Sequence, residues 1–110
     1  MAVDNKLASD YIGEDITDLL GSILRSETEF KEVLIKINKA VSTAQFNAIK
    51  EFVLRFTKSY KVNNRKYKDN DTIIIYYKFI LSDLSKVKIT TIHKNNTLVM
   101  FLRDIKIIRY

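Results

Sequence analysis

The sequence predicts an α+β fold: an N-terminal layer of three or four helices packed on a small, mostly antiparallel C-terminal sheet. Two observations predict it. Apolar residues recur at helical spacing as far as about residue 60. From about residue 72 they come instead in β-branched runs and in alternation. At 110 residues a single domain, 1–110, with one core is expected. Its helical part covers about 4–60, a basic loop 61–71, and a β part about 72–110.

Each element has its own reason. Val3, Leu7 and Tyr11 recur every four residues and suggest a weak first helix, which Gly13 can close. A better helix spans about 14–25, where Ile12, Ile16, Leu19, Leu20, Ile23 and Leu24 fall at helical spacing and Glu14, Asp15 and Asp18 favour its N-terminal end. Gly21 weakens it and permits close approach by a neighbour. Ser26-Glu27-Thr28-Glu29 is a capping-box pattern, followed by an apolar stripe of Phe30, Val33, Leu34, Ile37 and Val41 through 27–41. Ser42-Thr43-Ala44-Gln45 repeats that logic before a third strong helix, about 43–60, with Phe46, Ile49, Phe52, Val53, Phe56 and Tyr60 on its buried side.

Residues 61–71 offer little to bury and read as a loop. Thr72–Ile80 reads as a strand with both faces largely covered; a helix over 70–84 competes, since Asn70 or Asp71 can cap it, but three consecutive isoleucines favour the strand. Lys86–Lys94 alternates, with Val87, Ile89, Thr91 and His93 on one face. Asn95-Asn96 suits a two-residue hairpin turn, after which Thr97–Tyr110 returns as strand with a break near Arg103–Asp104. That turn pairs Thr91 with Met100, Ile89 with Leu102 and Ile92 with Val99.

Composition narrows the chemistry. The chain has no cysteine and one histidine, so disulfides, thiolate zinc sites and a multi-histidine metal site within one chain are excluded. Gly13 and Gly21 are the only glycines, and neither starts a phosphate loop. Asp69-Asn70-Asp71 resembles the start of a calcium loop, but Ile73, Ile74 and Ile75 follow and no glycine bends the chain. His93 stands in no nucleophile-elbow sequence. A non-catalytic protein without a cofactor is expected. Without a secretory signal or an apolar run of spanning length, an intracellular, cytoplasmic location and no membrane partner are expected.

The net charge of +6 is unevenly placed. Residues 1–32 hold eight acids and three bases, a net of −5; residues 33–110 hold five acids and sixteen bases, a net of +11. Lys58, Lys61, Arg65, Lys66 and Lys68 fall within eleven residues, interleaved with Tyr60, Asn63, Asn64 and Tyr67. Lysine and arginine neutralise phosphates and release counterions, and aromatic rings stack on bases. The candidate nucleic-acid contacts are therefore Lys58, Lys61, Arg65, Lys66, Tyr67 and Lys68, with Lys88 and Lys94 from the hairpin. A solvated, lysine-rich loop is the competing reading.

Two helices joined at Ser42–Thr43 also allow a helix-turn-helix, with Gln45, Asn47, Lys50, Arg55 and Lys58 exposed on the second. Glu51 on the same side opposes phosphate. Three helices and a hairpin resemble the winged-helix order in outline only, with Lys94-Asn95-Asn96 as a short wing; the 61–71 loop and the 72–80 strand depart from it. The leading function is thus a small nucleic-acid-binding or accessory protein, for DNA or RNA. The alternative is a protein-interaction subunit that homodimerises or joins an assembly through its acidic helices or through Ile105–Tyr110 as an edge strand.

Overall fold

The computed structural model describes residues 6–8, 14–25, 31–66, 71–94 and 100–109. Among these residues two helices, α1 (Glu14–Arg25) and α2 (Thr43–Leu54), accompany six strands: β1 (Lys6–Ala8), β2 (Glu32–Val41), β3 (Thr57–Lys66), β4 (Thr72–Leu81), β5 (Lys86–Lys94) and β6 (Met100–Ile108). The strands form a single sheet in the order β1-β2-β6-β5-β4-β3. The short β1 pairs with β2 in parallel, and all other pairings are antiparallel. The sheet therefore dominates, and the expected layer of three or four helices on a small sheet is corrected. The winged-helix outline falls with it.

The helices that do form are the locally specified ones. The span of α1 is the expected one, with Ile16 and Leu20 fully buried. At α2 the capping box is complete: the Gln45 amide donates to Ser42 Oγ at 3.1 Å, and the Ser42 amide donates to Gln45 Oε1 at 2.8 Å. That helix stops at Leu54 rather than near 60, and the chain turns directly into β3. Because a strand precedes α2, there is no helix-turn-helix among the described residues.

Residues 32–41 are a strand, not the helix expected over 27–41. Val33, Ile35 and Ile37 alternate into the core with Val41, and β-branched residues suit a strand. A bulge between Lys36 and Lys39, with Asn38 at φ 51°, breaks the alternation and leaves a spacing that also satisfies a helical stripe. The supposed loop 61–71 is mostly the second half of β3, an edge strand. An edge lying partly beyond the helical layer buries little, so its sequence stays polar. Near the N-terminus, Lys6–Ala8 is strand where a weak helix was expected.

The Thr72–Ile80 strand and the β5 strand stand as expected, but the hairpin register moves. Thr91 pairs with Leu102 and Ile92 with Phe101, two residues further along than a turn at Asn95-Asn96 requires; residues 95–99 lie outside the described residues. A shift of two preserves which side chains share a face. A bulge at Arg103, where a break was expected, adds one more residue and pairs Ile89 with Ile105.

Both helices lie on one face of the sheet. Ile16, Leu20, Phe46, Ile49 and Val53 pack there against Val33, Ile35, Phe79, Val87, Ile89, Leu102, Ile105 and Ile107 in one core. A Cβ built on Gly21 would stand 3.2 Å from Phe52 Cζ, so the expected close approach to this glycine is made by α2. The C-terminal strand is no free edge: β6 is paired on both sides, to β2 and to β5. Joining an assembly through that edge is therefore ruled out. No helix among the described residues is long and apolar enough to cross a membrane.

Candidate functional site

Among the described residues, no helix lies on the second face of the sheet. Alternation places on it the even-numbered residues of β4 and β5, the odd-numbered residues at the centre of β3, and the even-numbered residues of β6 beyond its bulge. Across these strands the register lines up identical charges. Lys61 stands directly opposite Lys78, Lys78 opposite Lys88, and Lys88 opposite Lys106. Four lysines thus form one row across β3, β4, β5 and β6, spanning about 14 Å at the usual strand spacing.

Opposite residues in an antiparallel pair have Cβ atoms about 5 Å apart, and like charges there destabilise the sheet. At one end of the row Lys106 has a counter-charge: its Nζ lies 3.9 Å from Glu32 Oε1. Among the described residues no carboxylate lies within salt-bridge distance of Lys61, Lys78 or Lys88.

The next row on the same face is polar: Asn63 opposite Tyr76, Tyr76 opposite Thr90, and Thr90 opposite Asp104. The two rows, Lys61 excepted, line a groove of about 440 Å³, with Asn63, Tyr76, Lys78, Lys88, Thr90, Asp104 and Lys106 in its wall beside Arg103. Arg103 is aimed there by the bulge and held by Asp104, Nε to Oδ2 at 3.3 Å. One row further on, Phe101 is paired with Ile92 and is 36% exposed.

The residues singled out in the sequence divide into groups. Lys61 and Lys88 belong to the lysine row. Arg65 and Lys94 share the face but stand about 13 Å and about 20 Å along their strands from it. Lys58 is the extra residue of a bulge in β3 at the free edge of the sheet. Lys66 ends β3, and Tyr67 and Lys68 lie outside the described residues. The cluster that looked compact along the chain is therefore spread along an edge strand. The row that replaces it includes Lys78 and Lys106, and its groove Tyr76, none of which was singled out as a contact. One signal for them existed: a lone lysine within Ile-Ile-Ile-Tyr-Tyr-Lys-Phe-Ile-Leu cannot sit in a strand covered on both faces.

Two acids belong to this face, Asp104 in the groove and Glu32 beside Lys106. Asp18 is exposed on α1, on the helical side of the sheet. That side also holds a small polar cluster, in which Thr91 Oγ1 lies 3.2 Å from His93 Nε2 and 3.4 Å from the Ile75 carbonyl oxygen. Burial pulls the His93 pKa down and pushes that of Tyr77 up. Both side chains are on the helical side of the sheet, beside the core.

No family model and no curated protein matches the chain. Among solved structures it is similar to ORF14 from Sulfolobus islandicus filamentous virus, with a TM-score of 0.53 and 18% identity over 88% of this chain and 82% of that one. A second similarity is to ORF-99 from the archaeal virus AFV1, with a TM-score of 0.49 and 17% identity over 86% of each chain. At such identities the likeness to ORF14 concerns the fold alone.

Proposed function

We propose that this chain is a small nucleic-acid-binding protein that contacts phosphates through the open face of its sheet. The observation that carries the reading is the row Lys61–Lys78–Lys88–Lys106, in which the register places four cations side by side on one face. Each phosphate neutralised releases condensed counterions, which gives such a row affinity without sequence preference. Arg103 and the more distant Arg65 and Lys94 extend the positive field around it. No metal or catalytic constellation enters this reading, and the role is binding. A small accessory protein is the setting in keeping with the fold likeness to a viral protein.

The test is a salt titration of affinity for short DNA and RNA, repeated with Lys78→Glu and Lys88→Glu. Binding that falls with salt, and that each substitution weakens at least about tenfold at low salt, supports the reading. Placing a glutamate among lysines relieves repulsion, so these variants keep the fold and a loss is not an unfolding effect. Undetectable binding by the wild type, or affinity unmoved by both variants, refutes it.

A further inference from the structure

We infer that the open face takes single-stranded nucleic acid, with a base stacked on Tyr76 while the neighbouring phosphates lie on the lysine row. This rests on the phosphate-binding reading above and deepens it. The first support is the position of the ring. Tyr76 is on β4, two residues from Lys78 on the same face, so the ring and the ammonium row are about 7 Å apart along the strand. That offset is of the order of the reach from a nucleotide's phosphate to its base.

The second support is what surrounds the ring. Asn63 and Thr90 stand directly opposite Tyr76 on its two sides. A base over the ring therefore meets an amide on one side and a hydroxyl on the other. Those groups both donate and accept hydrogen bonds and suit any base. Stacking is itself tolerant of sequence, because every base has a π-face. Phe101, one row beyond and partly exposed, offers a second surface for the base that follows.

The third support is size. The groove of about 440 Å³ falls in the range of cavities that hold one small ligand, roughly 300–1,000 Å³. One strand fits such a groove. A duplex keeps its bases paired and stacked inside, so it presents backbone alone to the lysines and leaves Tyr76 without a partner.

The experiment compares single-stranded DNA and RNA oligonucleotides with a blunt DNA duplex of the same sequence, using inorganic polyphosphate as a base-free competitor. It is run on the full chain as wild type, Tyr76→Leu, Tyr76→Trp and Lys88→Glu. The chain has no tryptophan, so the indole of Tyr76→Trp is a single reporter. The expected result is tighter binding of single strands than of duplex, and a loss of about tenfold or more for single strands in Tyr76→Leu with duplex affinity unchanged. The Tyr76→Trp fluorescence is expected to be quenched by single strands and not by polyphosphate. Comparable DNA and RNA affinities agree with stacking, and a preference between them identifies the sugar that the groove favours. Duplex binding as tight as single-strand binding, or Tyr76→Trp fluorescence indifferent to single strands, overturns the inference. If Lys88→Glu still weakens binding in that case, the phosphate-binding reading survives without it; if nothing binds, both fall.

Discussion

Lys78 and Lys88 face each other directly across the pairing of β4 and β5, on the side of the sheet opposite α1 and α2. Lys61 and Lys106 continue the row on either side. Such an arrangement opposes folding in the absence of an anion. Lys78→Gln is therefore expected to raise the stability of the free protein by about 0.2–1 kcal/mol at low salt while weakening anion binding. Urea midpoints at low and high salt check this, since screening shortens the range of the repulsion and shrinks the gain. A destabilised Lys78→Gln protein with normal affinity contradicts it.

Arg109 closes the structure from the other side. Its Nη2 donates to the carbonyl oxygens of Ile23 and Leu24, both at 2.9 Å, at the C-terminal end of α1. A guanidinium there satisfies two open helix carbonyls and opposes the negative end of the dipole. Arg109→Ala is expected to cost about 1.5–3 kcal/mol, the range for hydrogen bonds to a charged group. Arg109→Lys keeps the charge without the planar fork and recovers only part of it. Denaturant midpoints at unchanged slope separate the two.

Gly21 sets how closely α1 approaches α2. An added Cβ already meets Phe52 Cζ and Arg25 Nη1 at 3.2 Å each. A full side chain must displace the Phe52 ring, which packs edge-on against Phe56 with centroids 5.5 Å apart. Gly21→Leu is expected to cost about 1–3 kcal/mol by overpacking, although leucine is the better helix former. Thermal or urea unfolding measures it, and a neutral result contradicts the close approach.

His93 supplies a pH dependence whose sign is determined. Burial disfavours its charged form, so its folded pKa lies below the ordinary value of about 6.5. The unfolded chain then binds the proton more readily. The contribution is complete above about pH 6.5 and is lost as pH falls through the folded pKa. As the single histidine of the chain, His93 can be followed by NMR titration, and His93→Gln is expected to flatten this part of the stability profile. A His93 pKa at or above the ordinary value contradicts it.

Legibility in the sequence followed the range of the interactions. The capping box of Ser42 and Gln45 was readable because both partners lie within four residues. The span of α1 and the inward face of β5, with Val87 and Ile89 buried, were readable for the same local reason. Where a strand carried a bulge, the reading failed. Val33, Leu34, Ile37 and Val41 satisfy a helical period, and only the pairing with β6 shows that Ile35 belongs with them and that Asn38 absorbs an extra residue. In β3, Tyr60 was assigned to a buried helix face. It is instead 43% exposed at the sheet edge, stacked on Phe79 with ring centroids 5.3 Å apart.

By itself the sequence determined the exclusion of cysteine and glycine-loop chemistry, the span of α1, the start of α2, the β4 and β5 strands, and a strong positive bias over residues 33–110. Tertiary structure alone decided where that charge converges. Lys61, Lys78, Lys88 and Lys106 are 10 to 45 positions apart along the chain, and no local pattern relates them. Strand order and register bring them into one row, because hydrogen-bonded pairing places residues opposite one another whatever their separation in sequence.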